Sequence, residues 1–400
     1  MNQTAIAECT PAASVAESQV PKQSAITAEP LASVHTNSFP DVLRELQCSL
    51  AVTTYQAGKL VFLRNDDGVL NTHFRSLNRP MGMARLNGRL AIGCGIDIWE
   101  YHDVPAVCEK LNTSDDYPRV AARHDACFLP RRSHCTGDIQ IHEMAWQTPR
   151  LGERDTESEL IFVNTAFSCL CARSDENSFE PIWRPSFINQ LAPGDSCHLN
   201  GLAMRDGQPA FVTAFGEQDA PGSWRKNRRD GGLVIDVDSH EVIARGLSMP
   251  HSPRWYRDQL WVLESGDGSI GVIDPTNGRY EPIAKFPGFT RGLSFYGPLA
   301  FIGLSQVRES AVFSGIPLVD RLEEAQHRSC GVWVLNIETG KTLGFCRFET
   351  GVQEIFSVEV MPGVRFPDLV NHDPNIVGHS YVLGDESLQS VPQELRFAAS

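Results

Sequence analysis

The chain has 400 residues, with 35 Lys or Arg against 49 Asp or Glu, a formal charge of −14 with histidine neutral. An acidic excess of that size argues against a nucleic-acid or anionic-membrane surface, whereas 42% hydrophobic and 21% charged residues suit a soluble chain with a substantial core. No run approaches the ~18 consecutive apolar residues of a membrane helix, so neither a membrane nor a nucleic acid is an expected partner.

Residues 1–38 are rich in Ala, Ser, Thr, Glu and Pro and nearly free of aromatics, the composition of a disordered leader. They lack a basic stretch followed by an apolar one. With eleven irregularly scattered cysteines, this points to a cytoplasmic protein with reduced thiols. FPDVLREL at 39–46 reads as a short helix leading into the fold. From there to residue 368 the texture is of short β-type runs: KLVFLR, RLAIGCG, LIFVNT, PAFVTAFG, GGLVIDV, QLWVLES, GSIGVID, LAFIGLS and CGVWVLN. Each is 4 to 8 residues long, rich in Val, Ile, Phe or Trp, and bounded by Gly, Asp, Asn or Pro. LVDRLEEAQHR at 318–328 reads as a helical insertion. Residues 369–400 form a polar, Pro-punctuated tail that wraps the surface or frays.

The β-type runs repeat. RPMGMARLNGRLAIG, IHEMAW with ELIFVNT, HLNGLAMRDGQPAFVT, PHSPRWYRDQLWVLES, TRGLSFYGPLAFIG and QEIFSVEVMPG share a polar or ligand-type residue, often a Gly, an apolar residue and then a strand a few positions later. Taking Met81, His142, Asn200, His251, Arg291 and Ile355 as equivalent gives spacings of 61, 58, 51, 40 and 64 residues. A unit of roughly 40 to 60 residues holding about four short strands is the size of a β-propeller blade. The expected fold is therefore all-β, a single six-bladed propeller over 39–368, with five or seven blades left open by the loose register.

In a propeller, equivalent positions of every blade converge on the central axis. The positions assigned there bring together Arg79, Glu143, Asn200, Arg291 and Glu354 with three histidines, His142, His198 and His251. Three imidazoles suit a divalent transition metal such as Mn, Fe, Zn or Cu, with positions open for water or substrate. Glu354 or Glu143 would complete the ligand set or act as general base. Arg291 would orient an anionic substrate group with its fork geometry. A metal-free polar funnel, or histidines that only tie neighbouring blades, account for the same spacing.

Three further segments bear on the mouth of the channel. RHDACFLPRRSHCTGD carries His124, Cys127, His134 and Cys135 at a spacing that matches no common zinc ribbon, so it reads as a loop offering Arg131, Arg132 and His134 to substrate. SWRKNRRDGG at 223–232 reads first as a solvated hairpin and second as a source of Trp224 and Arg225 for substrate. GLSQVRES places Arg308 past a strand end, facing the funnel or in a surface ion pair.

TYQAGKLVFLR, PRRSHCTGDIQIHEMAW, FVNTAFSCL, CHLNGLAMRDG, GLSMPHSPRW, LWVLESGDG, PGFTRGLSF, GLSQVRE and EIFSVEVMPG together resemble a bacterial family of conserved hypothetical proteins of unknown function over residues 50–366. That resemblance implies a propeller and brings no activity. More distantly, the layout is similar to the gluconolactonase-like six-bladed propellers, which hold a divalent metal on the axis, and to pectin-degrading lyases with axial histidine-bound manganese. Gluconolactonase-like sites lean on Glu, Asn and Asp; Asn200 and Glu354 could fill two such roles, while the histidines alter the preferred metal. The expected function is a metal-dependent enzyme acting on a small anionic molecule or peptide side chain by hydrolysis, elimination or oxidation. The competing class is a non-catalytic propeller that binds a protein or peptide in its funnel.

Overall fold

The apolar runs become strands because both of their faces are covered. Side chains alternate along a strand, and in Glu159–Asn164 the pair Leu160 and Phe162 packs into one hydrophobic cluster while Ile161 and Val163 pack into the next. The strand Lys59–Asp66 does the same, with Leu60 and Phe62 on one side and Val61 and Leu63 on the other. Six such clusters fill the six seams between adjacent sheets. A continuous apolar run is therefore the sign of a sheet sandwiched between two others, each fully buried large side chain contributing about 1.5–3 kcal/mol.

The computed structural model describes residues 31–112, 123–149, 158–307, 315–322, 329–371 and 373–396. Six antiparallel sheets form the blades. From the axis outward, blade 1 is Ser357–Pro362, Cys48–Thr54, Lys59–Asp66 and Val69–Ser76. Blade 2 is Met83–Leu86, Arg89–Gly93, Asp97–Asp103 and Ala126–Cys135. Blade 3 is Ile141–Gln147, Glu159–Asn164, Cys169–Ala172 and Glu180–Trp183. Blade 4 is Gly201–Arg205, Gln208–Ala214, Gly232–Asp236 and Val242–Leu247. Blade 5 is Pro250–Tyr256, Gln259–Glu264, Ser269–Ile273 and Tyr280–Lys285. Blade 6 is Phe289–Tyr296, Leu299–Ser305, Cys330–Asn336 and Lys341–Phe348.

The ring closes within blade 1, whose innermost strand comes from the C-terminal part of the chain and whose other three come from the N-terminal part. Each innermost strand packs on the next, and blade 6 packs on blade 1. At the axis this approach leaves no room for side chains at some positions: a Cβ on Gly82 would sit 1.7 Å from the carbonyl oxygen of His142 in the next blade.

Both ends of the described chain add an outer strand. Ser33–His35, inside the segment expected to be disordered, pairs antiparallel with the outer edge of blade 6, and the expected helix follows as Ser38–Glu45, burying Phe39, Pro40 and Leu43. Residues 1–30 lie outside the described residues. Of the expected 318–328 helix, Pro317–Arg321 is formed, and 323–328 lie outside the described residues. Pro367–Leu369 runs parallel to Ala126–Cys135 on the outer edge of blade 2, so the fold extends to the limit set at residue 368 and just past it. Beyond it come short helical turns with Tyr381, Val382, Leu383 and Leu395 exposed. No helix among the described residues is long and apolar enough to cross a membrane.

Asp368 fastens that outer strand. It is fully buried and accepts from Arg75 Nε (2.8 Å) and Nη2 (2.5 Å), with His73 Nε2 at 2.8 Å, all from the last strand of blade 1. Arg64 Nη1 donates to the neighbouring Pro367 carbonyl at 2.7 Å. Burial alone would raise the Asp368 pKa, but the hydrogen bonds and charges of His73 and Arg75 outweigh it and hold the carboxyl well below its usual range.

Candidate functional site

In blades 2 to 5 the start of the innermost strand carries a recurring backbone device. Arg79, Gln140, His198 and Met249 all have left-handed φ values, 49°, 51°, 52° and 46°, and each precedes its blade's anchor position by two residues. Non-glycine residues adopt this conformation at a cost of about 1–3 kcal/mol, and such strain gathers where a mouth or clamp is being shaped.

Two histidines are then held in the same way. His142 Nδ1 lies 2.8 Å from the Gln140 carbonyl and 2.7 Å from Thr165 Oγ1. His251 Nδ1 lies 3.1 Å from the Met249 carbonyl and 2.9 Å from Ser265 Oγ. Thr165 and Ser265 each directly follow the second strand of their blade. The Thr165 hydroxyl has one proton and gives it to the Leu199 carbonyl at 2.6 Å, and a carbonyl can only accept, so Nδ1 of both imidazoles carries the proton. In the neutral rings Nε2 keeps its lone pair, and no hydrogen bond to Nε2 occurs among the described residues.

His198 is half-buried, and its Nδ1 donates to Asp195 Oδ1 at 2.9 Å. Asp195 is held in turn by Trp224 Nε1 at 3.0 Å and by Arg225 at 3.2 Å, the Arg225 guanidinium lying 4.4 Å from the Trp224 ring centre. The three imidazoles cluster: His142 meets His198 edge to face at 5.0 Å between centroids and lies parallel to His251 at 6.5 Å. Phe215 and Trp224 pack on His198, Phe215 and Phe289 on His251, and Phe356 on His142.

Arg291 completes the arrangement. Its guanidinium lies 3.5 Å from the Phe356 ring centre, and no hydrogen bond from it occurs among the described residues. Burial lowers its pKa to about 10 against the opposing charges of Glu354 and Glu143. Burial and then the Arg291 charge hold His142 and His251 well below the ordinary imidazole range.

Several expected site residues are thus brought together: His142, His198, His251, Arg291, Trp224 and Arg225, with Glu354 close enough to support the Arg291 charge; the Asn200 carbonyl accepts from the Glu143 N–H, next to His142, at 3.3 Å. Others are committed elsewhere. Glu143 is paired with Arg254 and accepts from Ser252 Oγ at 2.9 Å, so its carboxylate is taken rather than free to act as a base. Arg79 pairs with Asp138 at 3.0 Å and donates to the Gly95 carbonyl at 3.3 Å, and the Tyr55 ring lies 6.3 Å from that of Phe356 between centroids. His134 does not reach the channel: it sits on the outermost strand of blade 2 and contacts the Ser178 carbonyl at 2.8 Å. Arg308 lies outside the described residues. The anchor of blade 1 is Phe356 rather than Ile355: the Phe356 N–H bonds the Thr53 carbonyl as the Asn200 N–H bonds that of Thr213, while Ile355 turns into the seam between blades 6 and 1. Asp195, Tyr55 and Phe215 were not singled out in the sequence; they lie in turns or beyond second strands, where no repeat pattern marks them.

Among the described residues, no group of three or more His, Cys, Asp or Glu side chains is arranged to hold a metal ion. The donor chemistry is nevertheless of the right kind, since an imidazole with its Nδ1 proton anchored presents Nε2 as metal-binding histidines do.

The buried neutral imidazoles set a pH dependence. His124, buried beside Asp368, is lowered by burial to about 4, and His73, His142 and His251 are also lowered by burial from 6.5. The unfolded chain takes up protons at these groups before the native one does, so their stabilising contribution is full above pH 6.5 and declines as pH falls toward 4. Urea unfolding at pH 7.5, 6.5, 5.5 and 4.5 should show a midpoint that holds between 7.5 and 6.5 and falls below 6.5; no fall between 6.5 and 4.5 would contradict the neutral assignment.

The family described as "Domain of unknown function (DUF4915)" matches residues 37–370. No curated protein sequence matches the chain. Among solved structures, a chain of a nidogen/laminin complex is similar at 9% identity and TM-score 0.47, covering 79% of this chain and 99% of that one. A protein of unknown function from Bacteroides caccae is similar at 11% identity and TM-score 0.46, covering 78% and 98%. Virginiamycin B lyase from Staphylococcus aureus is similar at 13% identity and TM-score 0.36, covering 64% and 76%. None of the three lends an activity or a site to this chain.

Proposed function

We propose, for a chain that belongs to the DUF4915 family of domains of unknown function, that the axial mouth binds a small anionic molecule and acts on it as an enzyme by proton transfer. The observation that carries this reading is Arg291: a half-buried guanidinium stacked on Phe356, without a hydrogen bond among the described residues and flanked by imidazoles that its own charge helps keep neutral. A planar fork of donors in a low-dielectric mouth matches a carboxylate. His198, oriented through Nδ1 by Asp195, offers Nε2 as a base toward the bound molecule or a water, the chemistry of a hydrolysis or an elimination.

A second reading places a divalent transition metal (Mn, Fe, Zn or Cu) on His142, His198 and His251. The anchored Nδ1 atoms favour it, and the ring spacing would have to tighten to bring three Nε2 atoms within about 2.0–2.1 Å of one ion. Two measurements on the purified protein test these readings. Thermal shift against a panel of small carboxylates should give stabilisation in the wild type and in His198→Ala, with turnover of the stabilising compound lost only in His198→Ala; binding without turnover in either would leave a non-catalytic funnel. Elemental analysis with chelator treatment should find stoichiometric metal if the second reading holds, and its absence would sink that reading.

A further inference from the structure

We infer that the ligand of the axial mouth is a small hydroxy acid, a carboxylate with a neutral hydroxyl close to its acid group; this rests on Arg291 as the anchor of the anionic group. Taken blade by blade, the anchor positions are Phe356, Met81, His142, Asn200, His251 and Arg291. The blade of Asn200 lies between those of the two neutral imidazoles, His142 in blade 3 and His251 in blade 5. Asn200 is 1% exposed, its Oδ1 accepts from Thr213 Oγ1 at 2.6 Å, and its buried Nδ2 has no hydrogen-bond partner among the described residues. By its backbone pairing it occupies in blade 4 the position that Phe356 occupies in blade 1, and it is Phe356 that lies against Arg291 and His142.

A buried amide N–H without a partner is costly, and native structures rarely leave one unmet without a water or ligand in view. Here the unmet donor stands between two blades that each present an imidazole acceptor, Nε2 of His142 and Nε2 of His251. A group that satisfies both must accept one hydrogen bond and donate another. A hydroxyl does so: its oxygen accepts from Asn200 Nδ2 and its proton goes to an imidazole Nε2. An ammonium has no lone pair for Asn200, and the Arg291 charge that already opposes protonation of both histidines opposes a second cation. A ketone or a simple carboxylate has no proton for the imidazoles.

Isothermal titration of the full chain with glycerate, propionate, alanine and glycerol tests this. Glycerate should bind at least 10-fold tighter than propionate, with alanine and glycerol weaker still, and Asn200→Leu should bring glycerate down to the propionate level. Asn200→Asp, which keeps the Thr213 contact and exchanges the donor for an acceptor, should do the same if the Leu variant does not fold. Equal affinity for glycerate and propionate, both lost in Arg291→Met, would overturn the hydroxyl assignment and leave the anion reading standing. Carboxylate binding indifferent to Arg291→Met, or no carboxylate binding at all, would overturn the anion reading itself.

Discussion

Replacing Asp368 with Ala is expected to lower the free energy of unfolding by about 3 kcal/mol, because it removes a buried carboxylate that accepts from Arg75 and His73 and leaves the half-buried Arg75 without its counter-charge. The loss falls on the outer strand Pro367–Leu369, which Asp368 ties to Arg75 and His73 of blade 1 while the strand itself pairs with blade 2. Asp368→Asn keeps the shape and removes the charge, so it isolates the electrostatic share. The folded-state pKa is depressed, so the contribution is full above the unfolded carboxyl value near 4 and is lost as pH falls below it. Equilibrium urea unfolding of the wild type and both variants at pH 7 measures the difference. A loss below about 1 kcal/mol for Asp368→Ala would show that the strand is held by its backbone pairing alone.

Replacing Arg291 with Met is expected to weaken carboxylate binding about 100-fold or more, since two charge-assisted hydrogen bonds are removed at about 1.5–3 kcal/mol each. The same change should raise the pKa values of His142 and His251, because the Arg291 charge is the second cause, after burial, of their depression. Histidine proton resonances followed through a pH titration read that effect without any ligand. Arg291→Lys keeps the charge and loses the fork, so it should retain the imidazole shifts while losing most of the affinity. Unchanged affinity in Arg291→Met would remove this residue from the site.

Much of the architecture was legible because a blade sandwiched between two others needs apolar residues on both faces. Runs such as KLVFLR and LIFVNT, continuous rather than alternating, carried that signal and gave the six blades. The meeting of His142, His198, His251 and Arg291 was legible from the repeat. What was not legible depends on partners that repeat spacing does not encode. The commitment of Glu143 needs Arg254, two blades away, and the outer position of His134 follows from its place on a fourth strand. The last anchor is shifted by one residue, from Ile355 to Phe356, because only the hydrogen bond to the Thr53 carbonyl sets the register there. The closing of the ring inside blade 1 and the outer strands at both ends join segments far apart in the chain, Ser49 with Met361, Ser33 with Phe348 and Pro367 with Ala126. The whole-chain charge of −14 likewise gave no hint of a buried Asn200 amide that has no hydrogen-bond partner among the described residues.

The most direct test of an anion-binding axial mouth is a crystal structure of the protein with glycerate bound at saturating concentration. The account predicts a carboxylate within about 3 Å of the Arg291 guanidinium, beside the Phe356 ring, with the hydroxyl between Asn200 and an imidazole. Glycerate seated away from the axis, for instance in the 240 Å³ cleft lined by Glu217, Asn227, Asp230 and Arg245, with none at Arg291, would contradict it.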